Sequence, residues 1–330
     1  ELRPSVGRDA MKLLVLGAGA TGGYFAGRLA QAAHVGKATV DVRFLVRPGR
    51  ATALAEKGLC VDSPHGSFSI PVRTVLQEEL RADYDLVLLT CKAYDLESAI
   101  DAIRPALRPD TLILPLLNGL AHYDRLDREF GEARVLGGCC HIAGTMAPDG
   151  TIRQMTQVHR ITYGLRPNND AAALPWLEAL HAGFAQTPVD ARLAEDIDQE
   201  IWEKYVFLAT LAGMTTLMRG SVGDIVAAEG GPALVLRMLD ECEFAAASAG
   251  KPSRQRAWEA TLKALTLPGS PSTASMLRDL ESGARIESSH IVGDMLHRVV
   301  AAGGVAPLLE AAWVHLQVRD LRRQREAQPV

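Results

Sequence analysis

Along the first half of the chain, short apolar runs alternate with segments whose apolar residues recur at helical spacing; in the second half the short runs disappear. Lys12-Leu13-Leu14-Val15-Leu16 reads as a buried strand and Tyr24 to Ala33 as a helix. A strand over Val40–Val46 and a helix over Ala51–Lys57 follow. Leu59–Asp62 and Ser67–Val72 then flank a Pro/Gly turn and predict a hairpin. The run Asp85–Cys91 is continuous and apolar, as in a parallel sheet covered on both faces, and precedes a helix at Leu96–Leu107 and a strand at Thr111–Leu114. Strands at Arg134–Ile142, Gly150–Met155 and His159–Gly164, spaced by turns such as Pro148-Asp149-Gly150, predict an antiparallel extension of that sheet. A helix at Leu174–Gln186 and a junction at Pro188-Val189-Asp190 end this half.

Only helices are predicted beyond the junction, at Ile197–Leu217, Ala233–Ala249, Gln255–Leu265, Ile286–Ala302 and Pro307–Arg325, with a hydroxyl-rich loop from Leu267 to Met276. Because the first strand runs through Gly17-Ala18-Gly19-Ala20-Thr21-Gly22 into a helix, the expected architecture is α/β: a Rossmann-type dinucleotide-binding domain over residues 11–188, an all-helical domain over 189–330, and an N-terminal extension over 1–10. A length of 330 residues with 48% hydrophobic content supports two such cores.

Charge narrows the partners. With 35 basic and 39 acidic residues the net charge is -4, which argues against a nucleic-acid or anionic-membrane surface; the basic run Arg319–Arg325 reads as a solvated helix end. Five cysteines without C-x-x-C spacing make neither a disulfide framework nor a zinc site. The first ten residues lack the apolar core of a signal peptide, and no run is long enough to span a bilayer, so a cytoplasmic enzyme is expected.

Chemistry enters at Gly17-Ala18-Gly19-Ala20-Thr21-Gly22, a G-x-G-x-x-G that follows a strand and opens a helix. Gly17 suits a tight turn, Gly19 a close approach of backbone to a pyrophosphate, and Gly22 close packing of helix on strand. The helix N-terminus favours the phosphates. Where an NAD site places a carboxylate for the ribose, the second strand ends in Arg47, which predicts NADP(H); Asp41 is the competing acid, at the far end of that strand, and a solvated loop role is the other reading of Arg47. Lys92 and Asn118 stand at carboxyl ends of strands, where ligands of open α/β sheets collect. Lys92 reads equally as a polar residue where a strand emerges, and Asn118-Gly119 as a turn. His141 lacks a nearby carboxylate and reads as structural. In the helical half, Lys204 is the outstanding polar residue of the Ile197–Leu217 helix.

With these pieces in order, the chain resembles the ketopantoate reductase (2-dehydropantoate 2-reductase) family from Met11 into the last helix. The matching segments are Gly17 to Gly22, Lys92-Ala93, Asn118-Gly119, Trp202-Glu203-Lys204, and Ser275-Met276-Leu277-Arg278-Asp279 with Glu287 beyond. The resemblance implies NADPH-dependent reduction of a 2-keto acid in a cleft between the two domains. It casts Lys204 as the general acid, Glu287 as partner of the lysine and of a substrate hydroxyl, and Asn118 as the residue beside nicotinamide and substrate. It also casts Lys92 as a lysine facing the cofactor and Ser275 as a contact of the substrate carboxylate. Without it, Lys204 reads as a snorkelling lysine and Glu287 as a helix-dipole partner.

Three asparagines of the family pattern are replaced, by Leu208, Ala212 and Val222. Their loss points toward a less polar ketone; Arg219 or Arg285 is a candidate anchor for a carboxylate, with an ordinary surface role as the default reading of both. An NADP(H)-binding sensor without catalysis is the reading from another class, and the presence of Lys204 and Glu287 speaks against it. The apolar helical half is compatible with a homodimer.

Overall fold

The computed structural model describes residues 10–326, so the expected extension over 1–10 lies, but for Ala10, outside the described residues. The chain forms two units. The first holds residues up to Leu117 together with Tyr123–Ile197; the second holds Asn118–His122 and the residues from Asp198 onward.

In the first unit, β1 (Met11–Leu16), β2 (Val40–Leu45), β5 (Arg73–Val75), β6 (Leu86–Leu89) and β7 (Leu112–Pro115) form one parallel sheet in the order β5-β2-β1-β6-β7. Every residue of β6 and β7 is buried, which is why these strands read as unbroken apolar runs. The remaining strands are β3 (Leu59–Asp62), β4 (Phe68–Ile70), β8 (Gly137–Met146), β9 (Ile152–Gly164) and β10 (Asp190–Leu193). They make a second sheet in the order β10-β9-β3-β4, with β8 paired to β9.

This corrects the expected antiparallel extension. β8 and β9 pair antiparallel with each other, yet β9 pairs parallel with β3 and β10, in a sheet of its own. The two strands expected at 150–155 and 159–164 are one, because the polar stretch between them is the exposed middle of a 13-residue strand. The junction placed at Pro188–Asp190 leads instead into β10, where Arg160 and Asp190 pair at 2.6 Å, and the first unit runs on to Ile197.

The helix Ala20–His34 buries Tyr24, Phe25 and Leu29, each contributing about 1.5–3 kcal/mol. Its Tyr24 hydroxyl meets His159 Nδ1 of β9 at 2.7 Å, and His159 stacks on His65 at 3.6 Å. Burial, reinforced by the His65 and Arg28 charges, pulls the pKa of His159 down to about 4. The imidazole is therefore neutral near pH 7 and can accept the tyrosine proton, which ties this helix to the second sheet.

Among its described residues the second unit is helical. Its central helix, Ile197–Met218, is apolar nearly all round and buried on most sides, as a core helix must be. Thr210, Thr215 and Thr216 satisfy their buried hydroxyls by donating to carbonyls one turn back, at 2.8, 2.7 and 2.6 Å. Around it stand Val222–Ala227, Gly231–Ser248, Gln255–Leu265, Ser275–Glu281, Asp294–Ala301 and Pro307–Glu326. Two expectations are revised. Ser275 opens a short helix instead of lying in a loop, and the helix expected at 286–302 begins with a π-helical turn at Ser289–Gly293. No helix among the described residues is long and apolar enough to cross a membrane.

Candidate active site

The glycine turn of the first unit joins β1 to the helix Ala20–His34. Gly17 adopts φ +90° and donates from its N–H to the Leu45 carbonyl at 3.1 Å, fixing the turn to the end of β2. At Gly22 the approach is closest: a Cβ there would lie 2.6 Å from the Gly17 carbonyl oxygen and 2.3 Å from Thr90 Oγ1. Thr90, just past β6, is held by donating to the Leu16 carbonyl at 2.9 Å. Gly19 is the N-cap, and a Cβ on it would meet nothing within 4 Å, so space is open beside the backbone there.

Ala20 and Thr21 begin the helix, whose first turn carries no acidic residue and has N–H groups without intrahelical acceptors. An anion fits this end. Ala18 is buried, and its carbonyl accepts from Arg50 Nη2 at 3.1 Å, while the same nitrogen reaches the Gly150 carbonyl at 3.2 Å. Arg50 thus clasps the glycine turn to the β8–β9 hairpin, a role that no sequence signal revealed because both acceptors are backbone atoms.

Arg47 caps the helix Pro48–Lys57, is exposed, and makes no side-chain hydrogen bond or ion pair among the described residues. The competing acid, Asp41, is occupied by Arg43 and Arg73, each at 3.0 Å. Lys92 is half-buried and leads into the 3-10 turn Ala93–Asp95. The residues present fit a dinucleotide: an open glycine turn and a helix N-terminus receive its phosphates, and an exposed guanidinium stands just past the end of β2.

The remaining candidates belong to the second unit, including Asn118, which sequence order places in the first. Lys204, half-buried on the central helix, donates from Nζ to Asn118 Oδ1 at 3.1 Å, across 86 positions of sequence. Gly119 adopts φ +77°, and a Cβ on it would lie 2.5 Å from the His290 carbonyl oxygen and 3.6 Å from Tyr205 Cε2. The Asn118-Gly119 segment is thereby pressed against both the central helix and the π-helical turn. Glu287 is 4% exposed, and its carbonyl accepts from the N–H groups of His290 at 3.2 Å and Ile291 at 3.1 Å, so it leads directly into that turn. Ser275 is half-buried at the start of its helix.

The three replaced asparagine positions separate on burial. Ala212 and Val222 are buried in the apolar core of this unit, whereas Leu208 is half-buried one turn beyond Lys204. Arg219 is exposed just past the central helix with φ +55°, and Arg285 is exposed two residues before Glu287. Tyr205 was legible only as an apolar-face residue of the helix; its hydroxyl contacts, to Ile291 and Asp294, cross 86 and 89 positions.

Comparison with known proteins covers both units. Residues 13–168 match the family model described as Ketopantoate reductase PanE/ApbA, and residues 196–320 that of its C-terminal part. The oxidoreductase YkpB of Bacillus subtilis (strain 168), itself uncharacterized, is 31% identical over 95% of this chain and 100% of its own length. The crystal structure of 2-dehydropantoate 2-reductase from Geobacter metallireducens GS-15 superposes with a TM-score of 0.81 at 27% identity, covering 93% of this chain and 99% of that one. A D-mandelate dehydrogenase in ternary complex with NADH and anilino(oxo)acetate shares the fold, with a TM-score of 0.80 at 19% identity over 95% of this chain and 100% of the other. With both of its units matched in order, this chain belongs to the ketopantoate reductase family of oxidoreductases, whose members bind a nicotinamide dinucleotide.

Proposed function

We propose that this protein is an NADPH-dependent reductase of 2-keto acids with Lys204 as its general acid. The observation that carries the reading is the hydrogen bond from Lys204 Nζ to Asn118 Oδ1, which fixes a half-buried lysine head at a side chain already marked by topology. A bound nicotinamide dinucleotide supplies the hydride in this chemistry. Reduction leaves negative charge on the former carbonyl oxygen, and Lys204 stabilises that charge and gives it a proton. Asn118 Oδ1 can only accept, so it aims the lysine without competing for its role as donor. Arg47 and the helix N-terminus at Ala20 would hold the phosphates, with Glu287 and Ser275 as contacts of the keto acid.

Leu208 favours a narrower reading, in which the preferred keto acid carries an apolar side chain. A leucine one turn from the acid offers no hydrogen bond to a substrate hydroxyl, and a fold relative accommodates an anilino group beside an oxoacid. Steady-state assays with NADPH test both readings. Branched or aromatic 2-keto acids are expected to exceed ketopantoate in kcat/KM by about 10- to 100-fold, the range over which an apolar pocket discriminates against a hydroxyl. Efficient ketopantoate turnover would remove the narrower reading, and no turnover of any 2-keto acid would remove both.

In the same assay Arg47→Asp is expected to weaken NADPH by about 10- to 100-fold while leaving NADH within severalfold, since charge-assisted hydrogen bonds to a phosphate are lost. An unchanged preference would place the 2′-phosphate elsewhere.

A further inference from the structure

We propose that Tyr205 is a positioning residue that holds the segments bearing Asn118, Lys204 and Glu287 in register; the inference rests on the reading of Lys204 as the acid. Three stretches of chain far apart in sequence meet on this one ring. Tyr205 follows Lys204 on the central helix, so the two side chains point about 100° apart, the lysine half-buried and the tyrosine 1% exposed.

The phenol oxygen lies 2.8 Å from the Ile291 carbonyl and 2.9 Å from Asp294 Oδ2, sharing its single proton between two acceptors. Ile291 sits in the π-helical turn and its own N–H is bonded to the Glu287 carbonyl, so the hydroxyl fixes the turn that Glu287 enters. A Cβ on Gly119 would lie 3.6 Å from Tyr205 Cε2 and 2.5 Å from the His290 carbonyl oxygen, so the ring and the turn pack on the same side of that glycine, which adjoins the acceptor of Lys204.

A second layer keeps the tyrosine in place. Arg298 donates from Nε to Asp294 Oδ2 at 2.7 Å, and its guanidinium lies 5.6 Å from the centre of the Trp202 ring. Trp202 and Tyr205 pack at 6.1 Å, closing a ring of four side chains between the central helix and Asp294–Ala301. Burial, with Asp294 beside it, drives the phenol pKa well above its ordinary value, so the hydroxyl stays a donor across the working pH range. Phenylalanine would fill the same volume without a polar atom to satisfy. The buried hydroxyl is paired with both acceptors, so its bonds tie the π-helical turn and Asp294 to the central helix in a way that packing alone would not.

The experiment is Tyr205→Phe in the full-length enzyme, alone and combined with Lys204→Ala. Alone, it is expected to lower kcat about tenfold, the order of loss that sub-ångström misplacement of a catalytic group brings, while dinucleotide Kd stays within about twofold. On the Lys204→Ala background the same change is expected to lower the residual rate by less than about twofold, because its effect passes through the lysine. Wild-type kcat in Tyr205→Phe, or an equal tenfold loss on both backgrounds, would overturn the proposal. A readout independent of turnover separates this from the fate of the parent reading. The side-chain amide resonances of Asn118, followed by 15N NMR, are expected to move in Tyr205→Phe whether or not a ketone is reduced. Unmoved resonances overturn the positioning role, and moved resonances in an enzyme that reduces no ketone overturn only the assignment of the reaction.

Discussion

Replacing Lys204 by alanine is expected to lower kcat by about 10³-fold while leaving dinucleotide affinity within about twofold. Proton transfer from a positioned acid contributes 10²- to 10⁴-fold and stabilisation of a developing alkoxide a comparable factor, and the two overlap when one ammonium supplies both. The substitution leaves Asn118 Oδ1 without its donor, which costs about 1 kcal/mol and lowers the melting temperature by only a few degrees. Loss of rate is therefore separable from loss of fold. Steady-state kinetics with the best 2-keto acid, beside fluorescence titration with NADPH, makes the measurement. Turnover near the wild-type rate would dismiss Lys204 as the acid, and a large loss of NADPH affinity would move it from the chemistry to the cofactor.

The second large effect is expected at the glycine turn. Gly22→Ala should destabilise the first unit by about 2–4 kcal/mol and abolish measurable dinucleotide binding. The new methyl would meet the Gly17 carbonyl oxygen at 2.6 Å, and backbone cannot give way there without moving the turn itself. The other clash, with Thr90 Oγ1 at 2.3 Å, can be relieved by rotating the hydroxyl, at the loss of its hydrogen bond to the Leu16 carbonyl. Overpacking at 1–3 kcal/mol and a broken buried hydrogen bond at about 1 kcal/mol give the stated range. Gly19→Ala is the informative contrast. Its φ of -87° suits any L-residue and its Cβ would touch nothing in the protein, so stability should be unchanged while dinucleotide binding weakens about tenfold. Equal stability for Gly22→Ala and wild type, measured by denaturant unfolding, would show that the turn adapts; undiminished binding in Gly19→Ala would show that no phosphate lies beside it.

Much of this arrangement could be read from the residues. The β1 strand, the glycine turn and the central helix carry strong local patterns, since burial on both faces makes a strand uniformly apolar and a turn with positive φ selects glycine. What escaped was decided by pairing across long separations. β8 and β9 look like additions to the first sheet because alternation reports only which face a side chain takes, and says nothing about which strand lies alongside. β10 is four residues long, half-exposed and polar, so its strand character comes from pairing with β9. Among the functional candidates, Lys204 stood out as a charge on an apolar helix. Tyr205 and Arg50 did not, because a buried tyrosine resembles core and an arginine bonded to two carbonyls leaves no partner side chain in the sequence.

Asn118–His122 leaves the sequence of the first unit to become part of the second, and this has a consequence for how such enzymes can be recombined. The helical unit is not a continuous cassette. A chimera of two relatives joined after Ile197 would take its lysine from one parent and the acceptor of that lysine from the other, so both parents must agree on the five-residue insert as well as on the helices. During synthesis the insert emerges long before the helix that receives it, and closing the 86-residue loop between them costs on the order of 4 kcal/mol of chain entropy. That cost is recovered only when the central helix has been made, so the lysine cannot meet its acceptor until synthesis has passed that helix.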